Sequence, residues 1–393
     1  EISLGLVGSE MCIRDSVLYP FMNDQIFTIR MSQYDVLLIV LMGIPILATI
    51  LPFIRHDHWV FRVFDFPRLQ IAILSLLCFI LNLIFIQDDK TGVFLVVECI
   101  NLVCFVYQLK EISAYTFMVK PEVLAYKDKP TNRTISLLIS NVLTSNRRSD
   151  LLLAQINKWQ PDIVLTLESD KWWEIALEPL EKVYPNSIKI PLDNLYGMHL
   201  YSRLPLRHTE VRHWVEEDIP SIVTQVQLRS GEWIDIYCLH PQPPSPTEAD
   251  TSTARDAELL LVGREIAKKQ RPSLVFGDLN DVAWSRTTRL FQRISGLLDP
   301  RIGRGLYSTF NANYRFLRWP LDHIFHSNDF MVIDIKVLPF VGSDHFPIYG
   351  RFQYAPSVGT IQELEEATPE DNKEASHKIA EAEPIKEVID TDN

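Results

Sequence analysis

The run Ser273-Leu274-Val275-Phe276-Gly277-Asp278-Leu279-Asn280-Asp281 decides how this chain is read. Ser273 to Phe276 form a short, mostly apolar strand that stops abruptly in a glycine and two polar residues. Gly277 lets the backbone turn where a Cβ would clash. Asp278 and Asn280 then project from a strand end, where a rigid sheet can hold them still. A carboxylate two residues from an amide suits one task. The carboxylate ligands a hard cation or takes a proton from water, and the amide donates to an anionic oxygen. Taken alone, the stretch reads equally well as a polar turn with a helix cap, so the surrounding chain has to decide.

Outward from this strand, an α/β pattern runs from Thr134 to Tyr354. Strands are expected at 134–140, 162–168, 197–202, 222–228, 233–239, 324–326, 332–338 and 347–352, from apolar runs and period-two alternation. Helical periodicity covers 150–159, with Ser149 or Asp150 placed to cap it, and a second helix fits 253–269. Strands outnumber helices, so a mixed sheet or two packed sheets with flanking helices is expected. Polar residues recur at the strand ends. Asn141, Glu168, Ser202 with Arg203, His240 and Asp278 with Asn280 follow strands; Asp322 with His323 and Asp344 with His345 precede them. Each alone is a common cap. Carboxylates and imidazoles crowded at one rim point to a site.

These motifs resemble the endonuclease/exonuclease/phosphatase superfamily, the metal-dependent phosphoesterases that include pancreatic deoxyribonuclease, abasic-site endonucleases, inositol phosphatases and sphingomyelinases. The segments that carry the resemblance are SN at 140–141, DIVLTLE at 162–168, LYSRLPL at 200–206, LHPQPP at 239–244, GDLND at 277–281, LDHIF at 321–325 and GSDHFPI at 342–348, in family order. The resemblance implies a four-layer αββα sandwich. It implies Glu168 as the main ligand of Mg²⁺ or Mn²⁺, with Asn141 and Asp344 beside the metal. Asp278 would position or deprotonate the attacking water, and Asn280 would hold the phosphate. His240 and His345 would contact phosphoryl oxygens or relay protons, with Asp322 orienting His345. Ser202, Arg203, Arg304 and Arg318 are further expected substrate contacts. Leu167 stands where many relatives have glutamine, and His323 where some nucleases have an aromatic residue. The chemistry agrees: phosphoester hydrolysis needs a Lewis acid, an activated water and donors for developing charge.

The remainder of the 393 residues falls into distinct regions. Residues 1–30 carry little pattern; Glu1 to Ser16 resembles translated adapter sequence, and Met31 is the expected start. Within 31–110, three apolar runs of 17 to 19 residues, 36–54, 69–86 and 93–109, match a bilayer core. Glu98 inside the third needs a partner, for which Asn82 and Asn101 are available. Three spans put the first connection, with Arg55, Arg62 and Arg68, on the same side as Lys110, Lys120, Lys127 and Lys129. The positive-inside rule makes that side cytoplasmic, at a bacterial plasma membrane by resemblance to the membrane-anchored members. Residues 111–133 are expected to be a linker. From 355 onward eleven acids face three lysines, so an acidic disordered tail is expected. Of five cysteines only Cys238 lies in the 134–354 domain, which excludes a disulfide within it.

Substrate choice rests on the stretch between Trp284 and Trp319. Seven arginines (286, 289, 293, 301, 304, 315 and 318) meet a single acid, Asp299, among interleaved aromatics. That composition suits a nucleic-acid backbone with unstacked bases or an anionic phospholipid headgroup, both phosphodiesters. A nuclease-type activity is preferred, although the domain is otherwise near neutral, unlike a strongly basic processive nuclease. The expected partners are that substrate and a lipid bilayer; the sequence implies no protein partner.

Overall fold

The computed structural model describes residues 33–85, 91–363 and 365–391. The N-terminal segment 1–30, the expected start Met31, and Ile86 at the end of the second apolar run lie outside them. Four helices come first: α1 (Gln33–Ile50), the single turn α2 (Trp59–Arg62), α3 (Arg68–Phe85) and α4 (Thr91–Ser113). Among the described residues, Asp35–Phe53, Arg68–Phe85 and Gly92–Ser113 are long and apolar enough to cross a membrane. Large side chains such as Leu47, Leu83 and Val103 stand exposed on their outer faces, as a lipid-facing surface requires. Asn82 Nδ2 donates to Glu98 Oε2 at 3.1 Å. Asn101 instead donates to the Ser75 carbonyl at 3.0 Å, tying α4 to the α3 backbone.

The following domain contains β1 (Thr134–Asn141), α5 (Ser149–Trp159), β2 (Ile163–Leu167), α6 (Lys171–Ala176), β3 (Asn186–Ile190), β4 (Met198–Ser202) and β5 (Leu206–Arg212). Then come β6 (Ser221–Gln227), β7 (Trp233–Leu239), α7 (Thr253–Lys269), β8 (Ser273–Asp278) and α8 (Arg286–Ser295). The last elements are β9 (Asp322–His326), β10 (Phe330–Val337), β11 (Ile348–Tyr354) and α9 (Pro369–Thr391). One sheet has the order β10-β11-β1-β2-β4-β3 and the other β5-β6-β7-β8-β9. Their inner faces share a core that includes Leu137, Leu165, Ile236, Phe276 and Ile324. Leu152, Ile156 and Trp173 cover the outer face of the first sheet, and Leu259, Val262 and Phe291 that of the second. The result is the expected helix–sheet–sheet–helix sandwich. Every residue of β1 and of β8 is buried, because each strand meets the opposite sheet on one face and helices on the other, which explains their unbroken apolar runs.

Strand direction gathers the polar ends. β1 and β2 run parallel, with Asn141 opposite Leu167. β7 and β8 run parallel, with Leu239 opposite Gly277. Their C-terminal ends therefore lie at one rim. β9 runs antiparallel to β8, so its first residue, Asp322, faces Asp278. A Cβ on Gly277, whose φ is +150°, would stand 1.9 Å from the Leu239 carbonyl oxygen. Only glycine lets the two strand ends come this close.

Several expectations need correction. β3 and β5 went unread because their half-exposed, polar edge sequences lack an apolar run. α5 begins at Ser149 itself, with no side-chain cap, so neither Ser149 nor Asp150 caps it. The 111–133 segment is no free linker: Tyr115 and Val123 are buried, and Tyr126 N donates to the Val332 carbonyl at 2.8 Å. The acidic tail is not disordered over 369–391 but forms α9, docked on α7 and α8. Glu374 accepts from Arg286 Nε at 2.6 Å, Asp371 from Arg293 Nε at 3.0 Å, and Lys378 Nζ donates to Asp256 at 2.8 Å and Asp57 at 2.9 Å. The helix's own Ala375 and Ala382 are buried, packed with Leu260 and Leu290 and with Ala254 and Ala257 respectively. The tail's composition cannot build its own core; α7 and α8 lend it apolar surface, and ion pairs with the neighbouring elements hold it there.

Candidate active site

Glu168 immediately follows β2 and adopts a left-handed backbone, φ +57°; Asn280, after β8, does the same at +51°. Non-glycine residues rarely hold this conformation without surrounding structure to impose it, and it clusters at functional sites. Asn141 bridges the two sheets: its Nδ2 donates to Glu168 Oε1 at 2.7 Å and to Asp278 Oδ2 at 3.2 Å. Asp278 Oδ1 accepts the Asn280 backbone N–H at 3.0 Å, and the Asn280 side chain donates to the Pro241 carbonyl at 3.0 Å. Buried Arg255 holds the Asn280 carbonyl at 2.8 Å.

On the other side, His345 Nδ1 lies 2.8 Å from Asp322 Oδ2 and its Nε2 lies 3.5 Å from Asp278 Oδ2. Burial disfavours the imidazolium, but Asp278, Asp322 and Asp344 outweigh it and hold the His345 pKa up at about 10. His240 is buried, its Nδ1 has no hydrogen-bond partner, and burial pushes its pKa down to about 4. The two imidazoles therefore differ in charge at neutral pH, one a cation and one neutral.

The carboxylates are suited to a cation. Burial, with Asp344 and Asp278 adding to it, raises the Glu168 pKa to about 7 against the Asn141 hydrogen bond. Among the described residues no lysine or arginine forms an ion pair with Glu168, Asp278 or Asp344. An oxygen-rich group with more carboxylates than the single His345 imidazolium can balance fits a hard divalent ion. Asp278, Asp322 and His345 also offer ligand atoms within 4.8 Å of one another. A metal there would compete with the His345–Asp322 hydrogen bond at 2.8 Å, whereas Glu168 and Asp344 offer further carboxylate oxygens on the same cleft.

The structure brings Asn141, Glu168, His240, Asp278, Asn280, Asp344 and His345 onto one cleft of about 750 Å³, with Asp322 directly behind His345. It does not bring Ser202, Arg203, Arg304 or Arg318 there. β4 is antiparallel to β2, so Ser202 pairs with Ile163 at the far end from Glu168. The start of β4 is the end that reaches the cleft, and Tyr196 lines it. Arg203 stacks on Tyr184, Arg304 donates to the Pro300 and Val123 carbonyls, and Arg318 stacks on Phe346. His323 and Arg301 are buried behind the cleft: Arg301 Nη2 is 2.7 Å from both Asp299 and the His323 ring, and its Nη1 donates to the Asp322 carbonyl at 3.4 Å. Arg286 and Arg293 serve α9, and Arg289 pairs with Glu111 at 3.0 Å. Four of the seven arginines are thus paired with carboxylates, three of them from elsewhere in the chain.

The sequence reading also missed a wall of the cleft. Trp59, Arg62, Val63, Phe66 and Pro67, from the connection between α1 and α3, line it together with Trp319. The aromatic density of 59–66 was the available signal, but nothing local says which surface it covers.

A family model described as the Endonuclease/Exonuclease/phosphatase family matches residues 138–345. No curated protein matches the chain. Humanized TDP2 of D. rerio is 18% identical, with a TM-score of 0.48, over 56% of this chain and 99% of that one. The catalytic domain of human Nocturnin is 18% identical over 58% of this chain and 97% of that one, with a TM-score of 0.47. An endonuclease/exonuclease/phosphatase from Beutenbergia cavernae is 17% identical over 57% and 72%, also with a TM-score of 0.47.

Proposed function

Because the chain belongs to the Endonuclease/Exonuclease/phosphatase family, we propose that it is a membrane-anchored, divalent-metal-dependent phosphoric ester hydrolase. The observation that carries this reading is the convergence of Glu168 and Asn141 from one sheet with Asp278 and His240 from the other, beside His345, on one cleft. Glu168, Asn141 and Asp344 would hold Mg²⁺ or Mn²⁺, which when bound supplies positive charge to the phosphoryl oxygens. Asp278 accepts a proton from water as its oxygen bonds to phosphorus. The ester oxygen leaves with the electron pair of the breaking P–O bond and takes the proton of His345, whose imidazolium Asp322 holds in place. Asn280 and His240 orient the phosphoryl group.

The nuclease-type preference needed arginines free to follow a backbone. Arg286, Arg289, Arg293 and Arg301 are each paired with a carboxylate, so this reading does not rest on them. By the positive-inside rule, the excess of Arg and Lys beside the spans favours the cytoplasmic side for the domain. The test of the hydrolase reading is turnover of bis(p-nitrophenyl) phosphate by the full chain in detergent. We expect turnover with Mg²⁺ or Mn²⁺, its loss with EDTA and its return on metal addition. Equal rates with and without EDTA would remove the metal from the proposal.

A further inference from the structure

We infer that the substrate is a lipid phosphoester presented by the bilayer in which the chain is anchored, its phosphate at the strand-end site and its apolar part against the wall built by residues 59–67. This inference rests on the hydrolase reading above. The wall is the connection between two candidate membrane spans, and α3 begins at Arg68, one residue beyond the cleft-lining Pro67. No linker separates the phosphoryl site from the apolar helices. Of the cleft-lining residues Arg62 alone is a lysine or arginine, and it is engaged by Asp57 at 3.3 Å and Asp65 at 3.8 Å. The remaining wall, Trp59, Val63, Phe66, Leu317 and Trp319, is apolar. A nucleic-acid backbone needs cations along its track, whereas a lipid needs one phosphate site continuous with apolar surface.

The wall is fixed in place. Trp284 Nε1 donates to the Asp65 carbonyl at 2.7 Å, Trp59 N to the Asp250 carbonyl at 2.9 Å, and Ser252 N to the Asp57 carbonyl at 2.9 Å. Lys378 Nζ holds the Asp57 carboxylate at 2.9 Å, and Phe66 meets the edge of Trp319. The site therefore stays at the end of the apolar bundle instead of swinging into bulk water.

The facing rim is built for an interface. Phe316 is 80% exposed and Leu317 44%, yet Gln70 of α3 donates to the Phe316 carbonyl at 2.7 Å, which pins this loop beside the start of a span. Phe117 and Met118, just past α4, are 89% and 81% exposed. Large apolar side chains left open at the domain end of apolar helices belong in the headgroup layer. Arg315 and Arg318 flank Phe316 and Leu317, a pattern that meets anionic headgroups.

The experiment uses the full chain in phosphatidylcholine nanodiscs mixed with phosphatidylglycerol, phosphatidic acid or a phosphatidylinositol phosphate, with Mg²⁺. Lipid products are read by mass spectrometry. Bis(p-nitrophenyl) phosphate and single- and double-stranded oligonucleotides are run in parallel. We expect turnover of a lipid, and Phe66→Asp and Leu317→Asp each to lower the ratio of lipid to soluble-ester turnover by about tenfold or more. Leu317 is partly exposed, so its variant keeps the test open if Phe66→Asp fails to fold. Soluble-ester turnover with every lipid untouched overturns the inference and leaves the hydrolase reading standing, as does preferential cleavage of oligonucleotides. An unchanged ratio in both variants overturns the wall's role. Failure on every ester overturns the hydrolase reading itself.

Discussion

The cleft and the arginine-rich stretch beside it look alike in composition and differ in partners. At the cleft, Glu168, Asp278 and Asp344 crowd together with the His345 imidazolium, and among the described residues no lysine or arginine pairs with them. Between Trp284 and Trp319, cations outnumber acids seven to one locally. There Arg286, Arg289, Arg293 and Arg301 nonetheless each have a carboxylate, three of them from distant segments. Several carboxylates sharing one imidazolium leave charge for a ligand to balance; arginines each met by a carboxylate do not. The lesson is to count partners before assigning a ligand to a charged run.

Three substitutions sharpen that contrast. At the cleft, Asp278→Ala and His345→Ala should each lower phosphoester turnover by roughly 10²–10⁴-fold, with an unchanged circular-dichroism spectrum. Near-normal activity in either would break the site assignment. In the arginine stretch, Arg301→Met should leave activity per folded molecule intact but strand buried Asp299. Its cost is about 3–5 kcal/mol of stability, read by chemical unfolding in detergent. A variant as stable as the parent, or one that is stable but inactive, would blur the distinction.

The smallest effect concerns α9. The hydrogen bond from Arg293 is the first cause that holds the Asp371 pKa down at about 2, against an ordinary value of 3.8. A depressed carboxylate pKa gives stability that is present above pH 3.8 and lost as pH falls through about 2. The pair is partly open to water, so its worth is at most about 1 kcal/mol. The parent should therefore lose more unfolding free energy between pH 5 and pH 3 than Asp371→Asn does. Equal losses in the two would show that the Arg293 pair does not anchor α9.

The elements read most easily from sequence were those buried on both faces. β1, β2 and β8 have runs too apolar to be anything but central strands or spans, and their polar ends stood out against them. Edge strands β3 and β5 left no such trace, because half of each faces water. Ser202 and Arg203 were assigned from the wrong end of β4, since a polar strand terminus does not reveal whether the strand runs with or against its neighbour. α9 was read as disordered for want of a core that it borrows from α7 and α8.

What the amino-acid order settled by itself was the long apolar helices, the central strands and the polar residues that end them, because burial and strand termination are local properties of the chain. Tertiary structure alone decided that Asn141 reaches Asp278 across two sheets, that Arg286, Arg289 and Arg293 are taken up by distant carboxylates, and that residues 59–67 wall the cleft. Each of these depends on pairings between segments far apart in sequence, and no local pattern encodes which partner a side chain will meet.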